Sequence, residues 1–524
     1  MPMTCEHFHR AMAGGVALFI SLTIAVQSTH RHAMNHPATD PLFATLEPAT
    51  VWAHFAVLCS VPRRSKEEGA LRDRLQQWAV ARGLDARVDG AGNLLVRKAA
   101  SPGREHWPGV VLQAHLDMVC QKNAGSAHDF SKDAIRAVRR GDWLLAEETT
   151  LGADNGIGVA LMLAALEDAT LVHGPLEALF TVDEEAGMGG ARGLAGGWLE
   201  GRLMLNLDTE AWGEFFLGCA GGLDVNVERP GQAEPAPAGW EAVRVEVGGL
   251  RGGHSGVDIH EERGNAIKLL VRVLAGLAKV CPLRLARLVG GSARNALPRE
   301  AAAVVLIPPG RDRELEQGLA AWQETFRSEL MQVDEGVTLR VAPETATEVL
   351  SLGEQAVWQA SLLAAPHGVW RRSLSVPGVV ETSCNLGMVD VGPAGGSCHF
   401  MVRSLRDSGS DALADQIVAL FELSGTRAEK SGYYPGWQPN PASPLLATCR
   451  AVYRREFGGE SSVQVIHAGL ECGIIGAKYP GLDIVSFGPT IRGAHAPGEA
   501  VDIPSVAKAW RLLTAILASL GEAS

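Results

Sequence analysis

Short apolar runs alternate along the chain with longer stretches of helical periodicity. Residues 48–82 predict a helical opening: Pro48-Ala-Thr-Val-Trp leads into a segment whose apolar positions Leu71, Leu75, Trp78 and Ala79 recur at helical spacing. Val110-Val-Leu-Gln-Ala predicts a short buried strand. Gly156 to Leu166 predicts a helix that is apolar nearly all round and therefore lies inside. Leu176-Glu-Ala-Leu-Phe-Thr-Val and Leu203-Met-Leu-Asn-Leu predict two further strands. This alternation defines an α/β sheet covered on both faces.

Near residue 222 the texture changes. Val225-Asn-Val-Glu and Val243-Arg-Val-Glu-Val alternate apolar with polar, as half-exposed antiparallel strands do. The Pro-rich stretch Pro230 to Pro237 between them reads as a loop, and Asn265 to Ala278 as a helix. Leu445 to Arg454 is helical again, and Leu482-Asp-Ile-Val-Ser-Phe is a buried-type strand. The expected architecture is an α/β domain made of residues 36–221 and 421–524, interrupted by a domain-sized α+β insertion over residues 222–420. No internal repeat is visible by eye.

Composition narrows the class. The 524 residues are 46% hydrophobic and 20% charged, with a net charge of −12. At about 100–200 residues per domain this corresponds to two to four domains. General disorder is excluded by the apolar content, and a nucleic-acid binder by the mild acidity and the lack of a basic stripe. Nine Cys are scattered without a C-x-x-C, which fits a reduced intracellular protein better than a disulfide scaffold.

The amino terminus complicates that compartment. Ala11 to Val26 is an uncharged, mostly apolar run preceded by Arg10. It is short for a membrane span and close to a signal-peptide core, with Val26 and Ser28 placed as cleavage residues. The rival reading starts the protein at Met34. Residues 1–35 are therefore set apart from the fold; the body is expected in the cytoplasm, or exported if the segment is a true signal. No other stretch is long and apolar enough for a membrane.

The chemistry sits where the strands end. Val110–Ala114 runs into His115-Leu-Asp117, Leu176–Val182 into Asp183-Glu184-Glu185, Leu203–Leu207 into Asp208, and the strand near Ile484 into a loop ending in His495. Ligands of open α/β sheets bind beyond the carboxyl ends of the strands, so these residues are expected to converge. Asp154, just before the buried helix, is a further contributor, although by itself it reads as a helix N-cap. Crowded carboxylates repel unless a cation lies between them. Histidine with carboxylates favours zinc over calcium or magnesium, and a carboxylate able to bridge suggests two ions about 3.5–4 Å apart. A spare carboxylate is then the natural general base.

The segments around His115, Asp154, Glu184-Glu185 and Asp208, with Gly252-Gly-His254-Ser-Gly, Ser292-Ala-Arg-Asn295 and Gly493-Ala-His495-Ala-Pro-Gly-Glu, resemble the two-zinc aminopeptidase/carboxypeptidase clan. Within it they resemble the bacterial Xaa-His dipeptidases, also called aminoacyl-histidine or cytosol non-specific dipeptidases. The match covers about residues 48–520. It implies a mixed-sheet metallopeptidase catalytic domain with the insertion as its lid. His115 and Asp208 would each ligate a metal and Asp154 would bridge both. Glu185 would bind the metal of His495 or its neighbour, with the pairing left open. Glu184 would be the general base for a metal-bridging hydroxide, and Asp117 would orient His115. On the lid, His254 would stabilise the oxyanion, from its own or the partner chain, while Asn295 and Arg403 would bind the substrate carboxylate. Glu471 would approach the substrate amine. The resemblance further implies two divalent ions, zinc ahead of manganese or cobalt, a dipeptide substrate and a homodimer. The alternatives are an N-acyl amino acid hydrolase or carboxypeptidase of the same clan, or a non-catalytic peptide-binding protein on that scaffold.

Overall fold

The computed structural model describes residues 41–521, so the segment Ala11–Val26, Ser28 and Met34 lie outside the described residues. The helical opening is two helices, α1 (Ala49–Cys59) and α2 (Gly69–Ala81). Pro62 explains the break, because it has no N–H and disfavours helical backbone at Val61. Two strands that the pattern did not announce follow, β1 (Asp85–Val88) and β2 (Leu94–Lys98). Then come β3 (Val110–His115), α3 (Ala153–Glu167), β4 (Leu176–Thr181), β5 (Leu203–Asn206) and β6 (Glu214–Cys219).

The chain next builds a second sheet. Its strands are β7 (Gly221–Pro230), β8 (Glu241–Gly248), β9 (Arg284–Gly290), β10 (Ala301–Ile307), β11 (Thr338–Pro343), β12 (Val380–Gly392), β13 (Gly395–Ser404) and β14 (Arg427–Tyr434). Helices α4 (Ala266–Leu277), α5 (Asp312–Glu329), α6 (Leu352–Ala364) and α7 (Asp407–Glu422) connect them. The return passes through α8 (Pro444–Phe457), β15 (Ser462–Ile466), α9 (Glu471–Lys478), β16 (Asp483–Ser486) and α10 (Ile503–Ser519).

The first sheet has the order β1-β2-β4-β3-β5-β16-β6-β15, and its central strands β4, β3, β5 and β16 run parallel. Strand β3 has no solvent face: Leu112 and Ala114 join the core that holds α1, α3 and α10, while Val111 joins the one that holds α9. That is why its sequence is an unbroken apolar run. Helix α3 is buried from Gly156 to Leu166, as its all-round apolar surface requires.

The second sheet has the order β11-β8-β10-β9-β12-β13-β7-β14, all antiparallel, with Gly368–Arg372 added beside β12. It is two copies of one plan. The unit β8-α4-β9-β10-α5-β11 lies beside β7-α6-β12-β13-α7-β14, each in the strand order fourth, first, third, second. The copies meet where β9 pairs with β12. The first copy is inserted between β7 and α6 of the second, so the repeat has no constant period in the sequence. Strand β14 belongs to this sheet although it lies past residue 420, since it pairs with β7. The Pro230–Pro237 stretch is not all loop: β7 reaches Pro230, and Ala233–Pro235 is an edge strand against Glu348–Leu350. An edge tolerates Pro235, which has no N–H to donate.

Candidate active site

Parallel neighbours bring their carboxyl ends to one edge. His115 is the last residue of β3, β4 runs on into Asp183–Glu185, β5 into Asp208, and β16 into the loop that carries His495. Asp154 joins them from the start of α3. Its backbone is not helical there and its carboxylate caps nothing in the helix, so the N-cap reading is replaced by a different role.

Asp154 faces two ways. Its Oδ1 lies 3.1 Å from His115 Nε2, and its Oδ2 lies 3.2 Å from His495 Nε2. Asp208 Oδ1 stands 3.3 Å from the same His115 nitrogen, and Glu185 Oε2 stands 3.1 Å from that of His495. Two donor sets result, His115–Asp208–Asp154 and His495–Glu185–Asp154, each with its ligand atoms close enough for one ion. The structure places Glu185 beside His495 and Asp208 beside His115. Glu184 lies with His115 and Glu185.

A layer of support surrounds this cluster. Asp117 Oδ1 is 3.3 Å from His115 Nδ1. Its two oxygens also accept the backbone N–H groups of Glu184 and Glu185, each at 3.1 Å, and Oδ2 accepts the Ser65 hydroxyl at 2.8 Å. Asn155 donates to Asp208 Oδ1. Two supports escaped the sequence reading. Glu499 accepts the backbone N–H groups of Leu151, Gly152 and Asp154, holding the Asp154 turn. Arg63, buried, donates to the carbonyls of Leu116, Asp117 and Gly152. The Gly-Glu that follows His495-Ala-Pro was a signal for the first. Nothing local marked Arg63.

The electrostatics fit a cation. Four carboxylates, Asp154, Glu184, Glu185 and Asp208, crowd two imidazoles. Burial raises Asp208 to about 6 and lifts Glu184 well above the usual carboxylate range. Hydrogen bonds to Asp154 and Glu185 hold His495 at about 11. Burial alone would lower His115, but the surrounding carboxylates outweigh it and raise it well above 6.5. Burial also opposes the charge on Asp117, yet His115, Ser65 and the Glu184 N–H hold it at about 2. Glu185 Oε1 is buried without a hydrogen-bond partner among the described residues. A cation between these groups would offset the cost of burying so many carboxylates together.

The second sheet supplies a cationic group. Arg403, on β13, is 4% exposed; it donates to the Tyr434 hydroxyl at 2.8 Å, and among the described residues it has no carboxylate partner and its Nε has no hydrogen-bond partner. His254 Nε2 lies 3.4 Å from the same guanidinium. The Nδ1 of His254 accepts the Val257 N–H at 3.0 Å, which puts the ring proton on Nε2, and burial with Arg403 lowers this imidazole to about 4. His467, held at about 3 by burial and Arg403, bonds Ser383 at 2.8 Å. Asn295 is exposed, and its side chain contacts no hydrogen-bond partner among the described residues; only its carbonyl is used, by Ser255. Glu471 does not face an open cleft. It is fully buried, accepting from Gln113 and Thr181.

A mixed α/β sheet whose parallel central strands gather two such donor sets at their ends, with a second sheet bringing a buried arginine, defines a metallopeptidase: the chain belongs to peptidase family M20/M25/M40, whose model matches residues 111–519. Among its relatives is the cytosol non-specific dipeptidase of Escherichia coli, 44% identical over 475 residues, which span 90% of this chain and 98% of that protein. The crystal structure of aminoacylhistidine dipeptidase from Vibrio alginolyticus superposes with a TM-score of 0.83 at 43% identity, covering 91% of this chain and 97% of that one. An aminopeptidase of Bacillus cereus, at 15% identity and a TM-score of 0.52 over 91% of this chain and 99% of that one, shares the fold alone.

Proposed function

We propose that the chain is a two-metal dipeptidase acting on dipeptides with free amino and carboxyl ends, Xaa-His among them. The observation that carries this reading is Asp154, whose two oxygens face His115 with Asp208 on one side and His495 with Glu185 on the other. Those residues would hold two ions with Asp154 shared. Imidazole nitrogen with carboxylate oxygen suits zinc, with manganese or cobalt as substitutes. When bound, the ions supply Lewis-acid charge to the scissile carbonyl and acidify the attacking water.

The side chains do the rest. Glu184 takes the proton of the attacking water and returns it to the leaving amine. Asp117 holds both His115 and the turn that carries Glu184. Arg403, a buried guanidinium without an anionic partner among the described residues, is free to fork onto the substrate carboxylate. His254 presents its Nε2–H beside Arg403 and can donate to an oxygen that gains charge. Because His254 already stands beside Arg403 of its own chain, a homodimer is not needed to complete this pair. The first sheet acts as the catalytic body and the second as its lid. Similarity to the cytosol dipeptidase of Escherichia coli supports a cytoplasmic location, as do the eight free cysteines among the described residues.

The test is elemental analysis together with a substrate comparison. The reading expects two divalent ions per chain, loss of activity on chelation and recovery with zinc. It also expects preference for a dipeptide over an N-acetyl amino acid. The reverse preference would place the chain with the acylases.

A further inference from the structure

Central parallel strands buried on both faces are normally lined with aliphatic side chains. Here one level of the first sheet is polar instead. Thr181 on β4, Gln113 on β3, Asn206 on β5 and Ser486 on β16 are each completely buried, and all four are hydrogen-bonded side chain to side chain. The donors run one way. The Ser486 hydroxyl donates to Asn206 Oδ1, the Asn206 amide donates to Gln113 Oε1 at 2.5 Å, and the Gln113 amide donates to Glu471 Oε2 at 2.7 Å. Thr181 donates to the same Glu471 oxygen at 2.6 Å. The belt therefore crosses four adjacent strands and ends on one carboxyl group, brought in by the first residue of α9.

Its level matters. Gln113 lies two residues before His115, on the same face of the strand. Asn206 lies two residues before Asp208, Thr181 three before Glu184, and β16 leads into the loop of His495. Burying this much polarity is costly unless the groups are paired, and the belt pairs its donors in a head-to-tail chain that Thr181 joins at Glu471. Among the described residues Glu471 Oε1 has no hydrogen-bond partner and no cationic side chain pairs with the carboxyl group. The group thus acts as an acceptor, not as half of an ion pair.

We infer that Glu471 is a positioning residue of the metal centre: as the terminal acceptor of this belt it fixes Gln113 and Thr181, and through them the relative heights of the strand ends that carry His115, Glu184–Glu185 and Asp208. The inference rests on the two-metal reading above. It assigns Glu471 no contact with substrate.

The test uses the full chain with Glu471→Gln, Glu471→Leu and Ser486→Ala. The readouts are zinc affinity by chelator competition, zinc per chain, and kcat and KM at saturating metal. Glutamine keeps a neutral acceptor at Oε1, so Glu471→Gln should bind zinc within about threefold of wild type. Leucine leaves the Gln113 amide and the Thr181 hydroxyl unpaired, and should weaken zinc binding about 10–100-fold, the range seen when a ligand's support is removed. Its kcat should recover in part with excess zinc while KM stays unchanged. Ser486→Ala, a small truncation at the far end of the belt, should weaken zinc binding several-fold, and it decides the matter if the leucine variant does not fold. Wild-type zinc affinity in folded Glu471→Leu and in Ser486→Ala overturns the inference. So does a glutamine variant as damaged as the leucine one, since charge and not acceptance would then be what counts. A wild-type chain that binds no divalent ion overturns the two-metal reading itself, whatever the variants do.

Discussion

The Asp117 carboxylate accepts the backbone N–H of Glu184 at 3.1 Å. The group that faces His115 Nδ1 is thus the same group that anchors the turn bearing the proposed base. Position of a ligand and position of the base are coupled through one buried side chain.

Asp117→Asn should therefore disturb both. An amide cannot accept from Glu184 and Glu185 at both of its heavy atoms, and it carries no charge to set against His115. Metal affinity should fall about 10–100-fold, and kcat should stay reduced at saturating metal. Isothermal titration with zinc and steady-state kinetics on one dipeptide check the two effects separately. Unchanged affinity would detach Asp117 from the metal side.

Glu184→Ala should keep both ions and lose turnover. A positioned acid–base group contributes about 10²–10⁴-fold, so kcat should drop by at least about 10². Elemental analysis and kcat on the same preparation make the check. Normal turnover removes Glu184 as the base.

Arg403→Met should raise KM for dipeptides by about 100-fold, corresponding to roughly 3 kcal/mol of lost charge-assisted hydrogen bonding. A dipeptide amide, which has no terminal carboxylate, should be almost indifferent to the change. Equal losses on both substrates would refute the carboxylate assignment.

Gly158→Ala should damage the enzyme although alanine favours helices by about 1 kcal/mol. A Cβ at this position of α3 would lie 1.9 Å from Asn155 Oδ1 and 2.6 Å from the Leu207 carbonyl. Asn155 would have to move, and with it the hydrogen bond to Asp208. The expected result is a lower melting temperature and weaker zinc binding. A stabilised variant would show that the packing there is loose.

Stability should decline on acidification through buried neutral histidines. Burial and Lys268 lower His367 to about 4, and burial with Arg403 lowers His467 to about 3, from an ordinary value of 6.5. The unfolded chain takes up these protons as pH drops below 6.5 while the folded chain does not. Their stabilising contribution is therefore whole above 6.5 and is lost progressively toward pH 4 and below. His367→Gln keeps an acceptor for the Asn265 amide, which now donates to His367 Nδ1 at 3.2 Å. That variant should show a shallower acid limb in melting temperature against pH.

Most of the candidate ligands that the structure brings together were legible in the primary structure because their signal is local. A strand buried on both faces must be an apolar run, so a His-x-Asp or a Glu-Glu at its end stands out. The two-sheet texture was legible for a similar reason, since one-faced strands alternate and two-faced strands do not. Several elements were not. The strands β1 and β2 carry no clean alternation, and Pro62 divides what the apolar spacing joins.

The sequence by itself determined which residues could serve as ligands, base and anion holders, because residue type and the ends of apolar runs are properties of short segments. Only the tertiary structure set Glu185 beside His495 and Asp208 beside His115, put Glu499 and Arg63 against the Asp154 turn, and buried Glu471 against Gln113 and Thr181. It also revealed the doubled plan of the second sheet, hidden because one copy is inserted inside the other. These are relationships between side chains up to several hundred residues apart. They depend on strand order and on which face of the sheet each element covers, which no local pattern encodes.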